Sequence, residues 1–264
     1  MCNQLNNVRN LFLAVVIILI PYIFFGCGTT APHHFPASSI SQYQTAASLA
    51  RQDLYHEVAP MESLWRISKM YDVNPDDIIK ANRLRNPDSI HVGQKLLIPN
   101  AEEQRSVIPL YQIRPWSYIV VHHSATEVGD ALALDAIHHH RGFWNGLGYH
   151  FLIDNGTLGK AEGQIEIGPR WIKQMEGAHC NAAGMNENGI GICLVGNFSE
   201  TKVPEKQLDS LVFLVNTLRN YYHIPIDHVI RHRDVPGKHT ECPGNYFPWD
   251  EFKHKLVKSQ LTTP

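Results

Sequence analysis

The chain has 264 residues, 44% of them hydrophobic, with 23 Lys and Arg against 25 Asp and Glu for a formal net charge of −2. That balance gives no basic footprint for nucleic acid or an anionic membrane surface, so any membrane contact must be apolar. The length accommodates one medium domain and a smaller one.

The N-terminus supplies an apolar element. LFLAVVIILIPYIFF, residues 11–25, follows Arg9 and precedes Gly26 and Cys27. It is shorter than the roughly 20 residues that cross a bilayer as a helix, and Pro21 interrupts it. Its length fits the apolar core of a secretory signal; a retained anchor is the other reading. FFGC resembles a bacterial lipobox, with Phe24 where Leu is usual. The resemblance implies that residues 1–26 form a removable signal and that a lipid on Cys27 anchors the chain in the cell envelope, facing the periplasm or exterior. Gly28, rather than Asp, follows the cysteine, which is compatible with sorting to an outer membrane. Residues 27–52 are small, polar and rich in Pro and Ser, and read as a flexible linker with His33 and His34 solvated in it.

Residues 53–100 carry the pattern strand, helix, helix, strand. YHEVAP has strand character, and ESLWRISKMY places Leu64, Ile67 and Tyr71 on one helical face. Asn74 is predicted to cap a second helix, with Pro75 in its first position and Asp76 and Asp77 in its first turn, where the helix dipole favours acids. QKLLIP closes the unit. LWRISKMYDVNPDDIIKANRL followed by NPDSIHVGQKLLIP resembles a LysM module. That resemblance implies binding of N-acetylglucosamine-containing glycan strands in a groove between two loops, matching Ala59–Ser63 and Asn86–Ile90. Met61-Glu62 stands where Gly-Asp is usual, which bears on glycan affinity more than on fold.

After AEEQRS, a larger domain spans residues 106–258. Its pattern predicts a strand at Tyr118–Val121, a helix near Leu132–Arg141, a strand at Tyr149–Ile153 and a turn at Asp154-Asn155-Gly156. A loop-rich stretch precedes a buried strand, GIGICLVG. A helix from about Pro204 to Tyr222 presents Leu208, Leu211, Val212, Val215 and Leu218 on one face, and HVI is a last short strand. The alternation predicts an α/β domain with a mixed central sheet flanked by helices, preceded by the small βααβ unit.

His122 ends YIVVHHSAT, and VIRHRDVPGKHTECPG holds His232 and Cys242. Two neutral imidazoles and a thiolate suit Zn²⁺ and leave one position open, the arrangement of a catalytic rather than a structural zinc. The period of a strand sends His122 and His123 to opposite faces, so one metal does not take both. His138–His140 point about 100° apart on a helix and cannot share one ion, which suggests solvated or capping roles. His150, His228 and His239 read as surface or supporting residues. An oxidising compartment permits a Cys180–Cys242 disulfide, which counting leaves open; Cys193 in its apolar strand reads as a small hydrophobe, and three reduced cysteines are expected.

VVHHSAT, GLGYHFLID, GAHCNAAGMNENGIGICLVGNF and HRDVPGKHTECPGNYFPW, in that order, resemble the zinc amidases that act as N-acetylmuramoyl-L-alanine amidases, a family including phage lysozyme-type amidases and animal peptidoglycan recognition proteins. The resemblance covers nearly all of residues 110–255. It implies zinc ligation by His122, His232 and Cys242, and hydrolysis of the amide between N-acetylmuramic acid and L-alanine in peptidoglycan. It also implies a catalytic hydroxyl from Tyr149 beside the metal, a second from Thr240 where relatives carry Lys or Thr, and contact of His179 with the muramyl peptide. Some relatives carry Glu at the position of Cys193, so the tyrosine-type arrangement is the better match. Other relatives keep the groove without the metal, leaving a non-catalytic peptidoglycan-recognition protein as the alternative.

Overall fold

The computed structural model describes residues 39–43, 51–59 and 61–260. The apolar N-terminal run, Cys27 and most of the expected linker lie outside the described residues. No helix among the described residues is long and apolar enough to cross a membrane.

Strand β1 (Ser39–Tyr43) falls inside the segment expected to be linker. It pairs antiparallel with β4, introduced below, because an open strand edge presents unpaired N–H and C=O groups that take a partner strand. Strand β2 (Gln52–Glu57) is followed by helices α1 (Leu64–Met70) and α2 (Pro75–Asn82), and β3 (Lys95–Ala101) returns antiparallel to β2. Ser63 caps α1 by accepting the Arg66 N–H, and Asn74 caps α2 by accepting the Asp76 N–H, as its sequence predicts. Asn82 ties α2 to β3: its amide donates to the Leu97 carbonyl and its oxygen accepts the Leu97 N–H, both at 2.7 Å. Leu64, Ile67, Ile78, Leu96 and Ile98 form a small dry core, each burial contributing roughly 1.5–3 kcal/mol.

Strand β4 (Ser106–Leu110) joins this unit to the larger one. Alternation along the strand sends Val107 into the small core and Ile108 and Leu110 into the large one. Arg66 Nε donates to the Val107 carbonyl, and Met61 packs against the large core.

The larger domain contains β5 (Tyr118–His123), α3 (Ala131–His140), β6 (Phe151–Asn155), β7 (Glu162–Ile167), the short helices α4 (Pro169–Ile172) and α5 (Met185–Asn188), β8 (Gly189–Leu194), α6 (Glu205–Tyr222), β9 (Val229–Arg231) and α7 (Trp249–Gln260). The sheet order is β7-β6-β8-β5-β9, parallel except for β7 against β6, so the sheet is mixed as expected. One face carries Ile119, Val121, Ile153, Ile190 and Ile192 against Leu211, Leu214 and Leu218 of α6 and Phe252 and Leu256 of α7. The opposite face carries the row Glu166, Leu152, Cys193, His122, read directly from the strand register. Helix α3 covers part of this face through Ala131 and Leu134.

Among the elements not anticipated from the sequence are β7 and α7. In β7 the apolar alternation is broken by Gly163, whose φ is +84° and whose site could not hold a Cβ, which would lie 2.7 Å from the Lys206 carbonyl. Helix α7 is short of contiguous apolar residues and docks through buried Phe252 and Leu256, with Trp249 packed beside them and Lys255 paired to Asp209 of α6 at 2.7 Å. Strand β5 also runs two residues beyond its expected end, to His123.

Candidate metal centre

His122 sits at the end of β5, where the sheet stops and the following loops open. His232 begins a 3-10 turn immediately after β9, the neighbour of β5. Cys242 closes the loop that returns from that turn, and the Arg233 N–H binds the Cys242 carbonyl at 2.9 Å to hold its two ends together. The result is that one ligand atom from each of His122, His232 and Cys242 lies within 4.8 Å of the others. Cys242 Sγ is 3.7 Å from His122 Nδ1, and the two imidazole centroids are 4.5 Å apart.

Burial holds His122 well below the usual imidazole range, with His179 and His232 adding to it. Burial and Lys238 bring His232 to about 4. Both rings are therefore neutral and able to offer a lone pair. Burial pushes the Cys242 thiol up to about 12, against the opposing pull of the His123 N–H and Arg233. Without a metal the sulfur therefore keeps its proton at neutral pH, and a cation takes the place of that proton to give the expected thiolate ligand. The residues fit a zinc ion. The donor set is two nitrogens and one sulfur, and buried His232 Nε2 has no hydrogen-bond partner among the described residues.

His123 faces away from this group, accepting the Phe198 N–H at Nδ1 while its own backbone N–H reaches Cys242 Sγ at 3.4 Å. Tyr149 is half-buried, 5.2 Å from His122 between ring centroids, with the Cys193 and Cys242 thiols in the surroundings of its hydroxyl. Burial and the neighbouring cysteines push that hydroxyl well above its usual range, so it is a donor at any physiological pH. Thr240 is exposed, and its oxygen accepts the Cys242 N–H at 3.2 Å. His179 is buried behind His122, with the two rings 3.1 Å apart at their nitrogens. Cys180, Cys193 and Cys242 are all free thiols.

Some participants escaped the sequence reading. His138, expected to be solvated or a cap, is buried, accepts the Gly148 N–H at Nδ1 and packs 5.6 Å from the Tyr149 ring, while His139 and His140 are exposed. The i, i+3 and i+4 rows of α3 carry the signal: His138 lies four residues after Leu134, on its buried stripe. Lys238 is a cation close enough to depress both histidine ligands, two residues before Thr240. Asp154 and Glu166 are a buried acid pair on the same sheet face. Burial and Glu166 push the Asp154 carboxyl well up, and both its oxygens are buried without a hydrogen-bond partner among the described residues, while Glu166 accepts the Ala131 N–H and faces Lys160 at 3.1 Å.

The profile of the N-acetylmuramoyl-L-alanine amidase family matches residues 112–245, just over half of the chain. The chain belongs to this family. A LysM domain profile matches residues 56–99 of the chain, which is the small unit. Among curated relatives, peptidoglycan-recognition protein 2 of Holotrichia diomphalia is 31% identical over 108 residues, 38% of this chain and 52% of its own. The endolysin of Enterobacteria phage T3 is 34% identical over 150 residues, 53% of this chain and 89% of its own. The chain thus spans about half the length of the first of these and most of the second. Among solved structures, N-acetylmuramoyl-L-alanine amidase LysC from Clostridium intestinale URNW is 39% identical, covering 54% of this chain and 87% of its own with a TM-score of 0.44.

Proposed function

We propose that the protein is a zinc-dependent hydrolase that cleaves the amide bond between N-acetylmuramic acid and L-alanine in peptidoglycan. The observation that carries this reading is the convergence of His122, His232 and Cys242 within 4.8 Å. Family membership agrees with it, and so does the phage endolysin, most of whose length this chain spans.

His122, His232 and Cys242 would hold the zinc. When bound, it supplies Lewis acidity to a water nucleophile and to the amide carbonyl. Tyr149 would donate its hydroxyl hydrogen to the charge that develops on that carbonyl oxygen, since burial keeps the hydroxyl protonated. Thr240 uses an acceptor lone pair on the Cys242 N–H, which leaves its O–H to bind substrate. Thr240 brings no charge; Lys238 and Arg233 supply positive charge in this loop. Muramyl peptides are the substrate, N-acetylglucosamine-containing strands are the ligand of the LysM unit, and a lipid on Cys27 holds the enzyme at a membrane of the cell envelope.

In the LysM unit the Met61-Glu62 pair is occupied structurally: Met61 packs on the amidase core and Glu62 is buried among His56, Ala59 and Arg66. That loop would therefore present glycan in a fixed relation to the amidase sheet. Incubating the purified protein with muropeptides and weighing the products tests the reaction. Release of intact stem peptides beginning at L-alanine supports it. Cleavage inside the stem peptide, or tight binding with no cleavage, would move the protein to a different peptidase or to a recognition role.

A further inference from the structure

Behind the proposed ligand His122, the direction of a hydrogen bond between two histidines can be worked out atom by atom. His179 Nε2 lies 3.2 Å from the Gly189 carbonyl. A carbonyl only accepts, so Nε2 carries the hydrogen. The ring is buried and its partners among the described residues are a carbonyl and another imidazole, with no carboxylate to hold a second proton, so its Nδ1 is a bare lone pair. His122 Nε2 lies 3.1 Å from that lone pair and must be the donor. His122 Nδ1 is then left bare, and this is the nitrogen that faces Cys242 Sγ.

We propose that His179 is a positioning residue that locks His122 in its Nε2–H tautomer and so presents Nδ1 to the cation. The proposal rests on the zinc reading for its purpose, though the tautomer is a property of the protein itself.

The surroundings are shaped to hold the His179 ring in one orientation. A Cβ added at Gly177 or at Gly191 would lie 2.3 or 2.4 Å from His179 Cδ2, so both glycines clear the slot the ring occupies. Asn186 Oδ1 accepts the N–H groups of both His179 and Cys180, at 3.0 and 2.8 Å, fixing the turn from which the ring projects. The His179 side chain has little free surface, with the residue 8% exposed, so its work is on His122 rather than on substrate. Outer partners of this kind orient a metal-bound imidazole, and their loss typically costs about 10–100-fold in metal affinity.

The test compares zinc affinity, by competition with a chromophoric chelator, for the wild type, His179→Ala and His179→Asn. Asn places its side-chain oxygen near the position of imidazole Nδ1 and can still accept from His122. His179→Ala is expected to weaken zinc about 10–100-fold, with His179→Asn recovering most of the loss at a similar metal-free melting temperature. Long-range nitrogen–proton NMR on the wild type, with and without zinc, is expected to show His122 protonated at Nε2. Equal zinc affinity in wild type and His179→Ala, or a His122 protonated at Nδ1, would overturn the proposal. A wild type that takes up no zinc would instead remove the zinc reading, and the NMR tautomer would still decide the role of His179. The same spectrum decides it if His179→Ala does not fold.

Discussion

The thiol sulfur of Cys242 lies 3.7 Å from Nδ1 of His122, although 120 positions of chain separate them. Strand β5 delivers one and the return of the β9 loop delivers the other, so the pairing depends on β5 and β9 being neighbours in the sheet. Cys242→Ser replaces a soft donor with a hydroxyl of far lower zinc affinity, and His122→Ala removes a nitrogen outright. Both variants are expected to lose zinc by more than the roughly 100-fold that marks the loss of an outer partner, and to lose cleavage with it. Elemental analysis after gel filtration checks this. One zinc per chain retained by either variant would remove that residue from the ligand set.

Tyr149→Phe separates holding the metal from using it. The ring packs against His122 and His138 and would stay, while the hydroxyl alone is lost. Zinc content is expected to be unchanged and turnover to fall roughly 10²–10³-fold, the scale of removing one oxyanion donor. Turnover equal to wild type in a muropeptide assay would take Tyr149 out of the mechanism.

Gly191→Ala should disturb the centre without touching a ligand. Its new Cβ would sit 2.4 Å from the His179 ring, which is backed by the Gly177 turn and cannot retreat. Overpacking of this kind costs about 1–3 kcal/mol. The expected result is a lower melting temperature together with weaker zinc binding. Gly129→Ala is the matched control, since its Cβ meets Val195 at an ordinary 3.5 Å. Equal effects from the two changes would refute the slot.

The LysM unit has its own pH dependence. Glu62 accepts His56 Nε2 at 2.7 Å and the Ala59 N–H at 2.8 Å on one oxygen, and Arg66 at 3.0 Å on the other. Burial alone would raise its carboxyl, but His56, Arg66 and the Ala59 N–H more than offset this and hold it at about 2 against an ordinary 4.5. A folded value below the unfolded one stabilises the ionised protein, on the order of 3 kcal/mol here. That contribution is complete above about pH 4.5 and is lost as pH falls towards 2. Denaturant unfolding of wild type and Glu62→Gln is expected to differ most at pH 6, with the difference shrinking as pH falls below about 4.5 towards 2. A difference that does not change with pH would contradict the assignment.

Much of the architecture was legible because local and global signals agree in it. Asn74-Pro75-Asp76-Asp77 is a helix start by capping, backbone angle and dipole together, and the structure starts α2 at Pro75. The α6 stripe was readable from Leu208 to Leu218 for the same reason. β7 was not, because Gly163 removes a side chain from its alternation to admit the Lys206 backbone. Pairing of β1 was hidden as well, since it depends on the open edge of β4 rather than on residues 39–43 alone. At the site, chemistry was readable and support was not. A His-His-Cys set announces itself by residue type, whereas the roles of Gly177 and Gly191 exist only once the fold lays the His179 ring across them. His138 was misread because a run of three histidines looks uniform, and only the phase of α3 distinguishes the buried one.

The most direct measurement takes one purified sample and follows zinc content and muropeptide cleavage through chelation and reloading. The account predicts one zinc per chain, cleavage lost when the zinc is stripped and restored when it returns, and L-alanine at the start of every released peptide. Full cleavage by the zinc-stripped protein, or a fully loaded protein that releases no peptide, would contradict it.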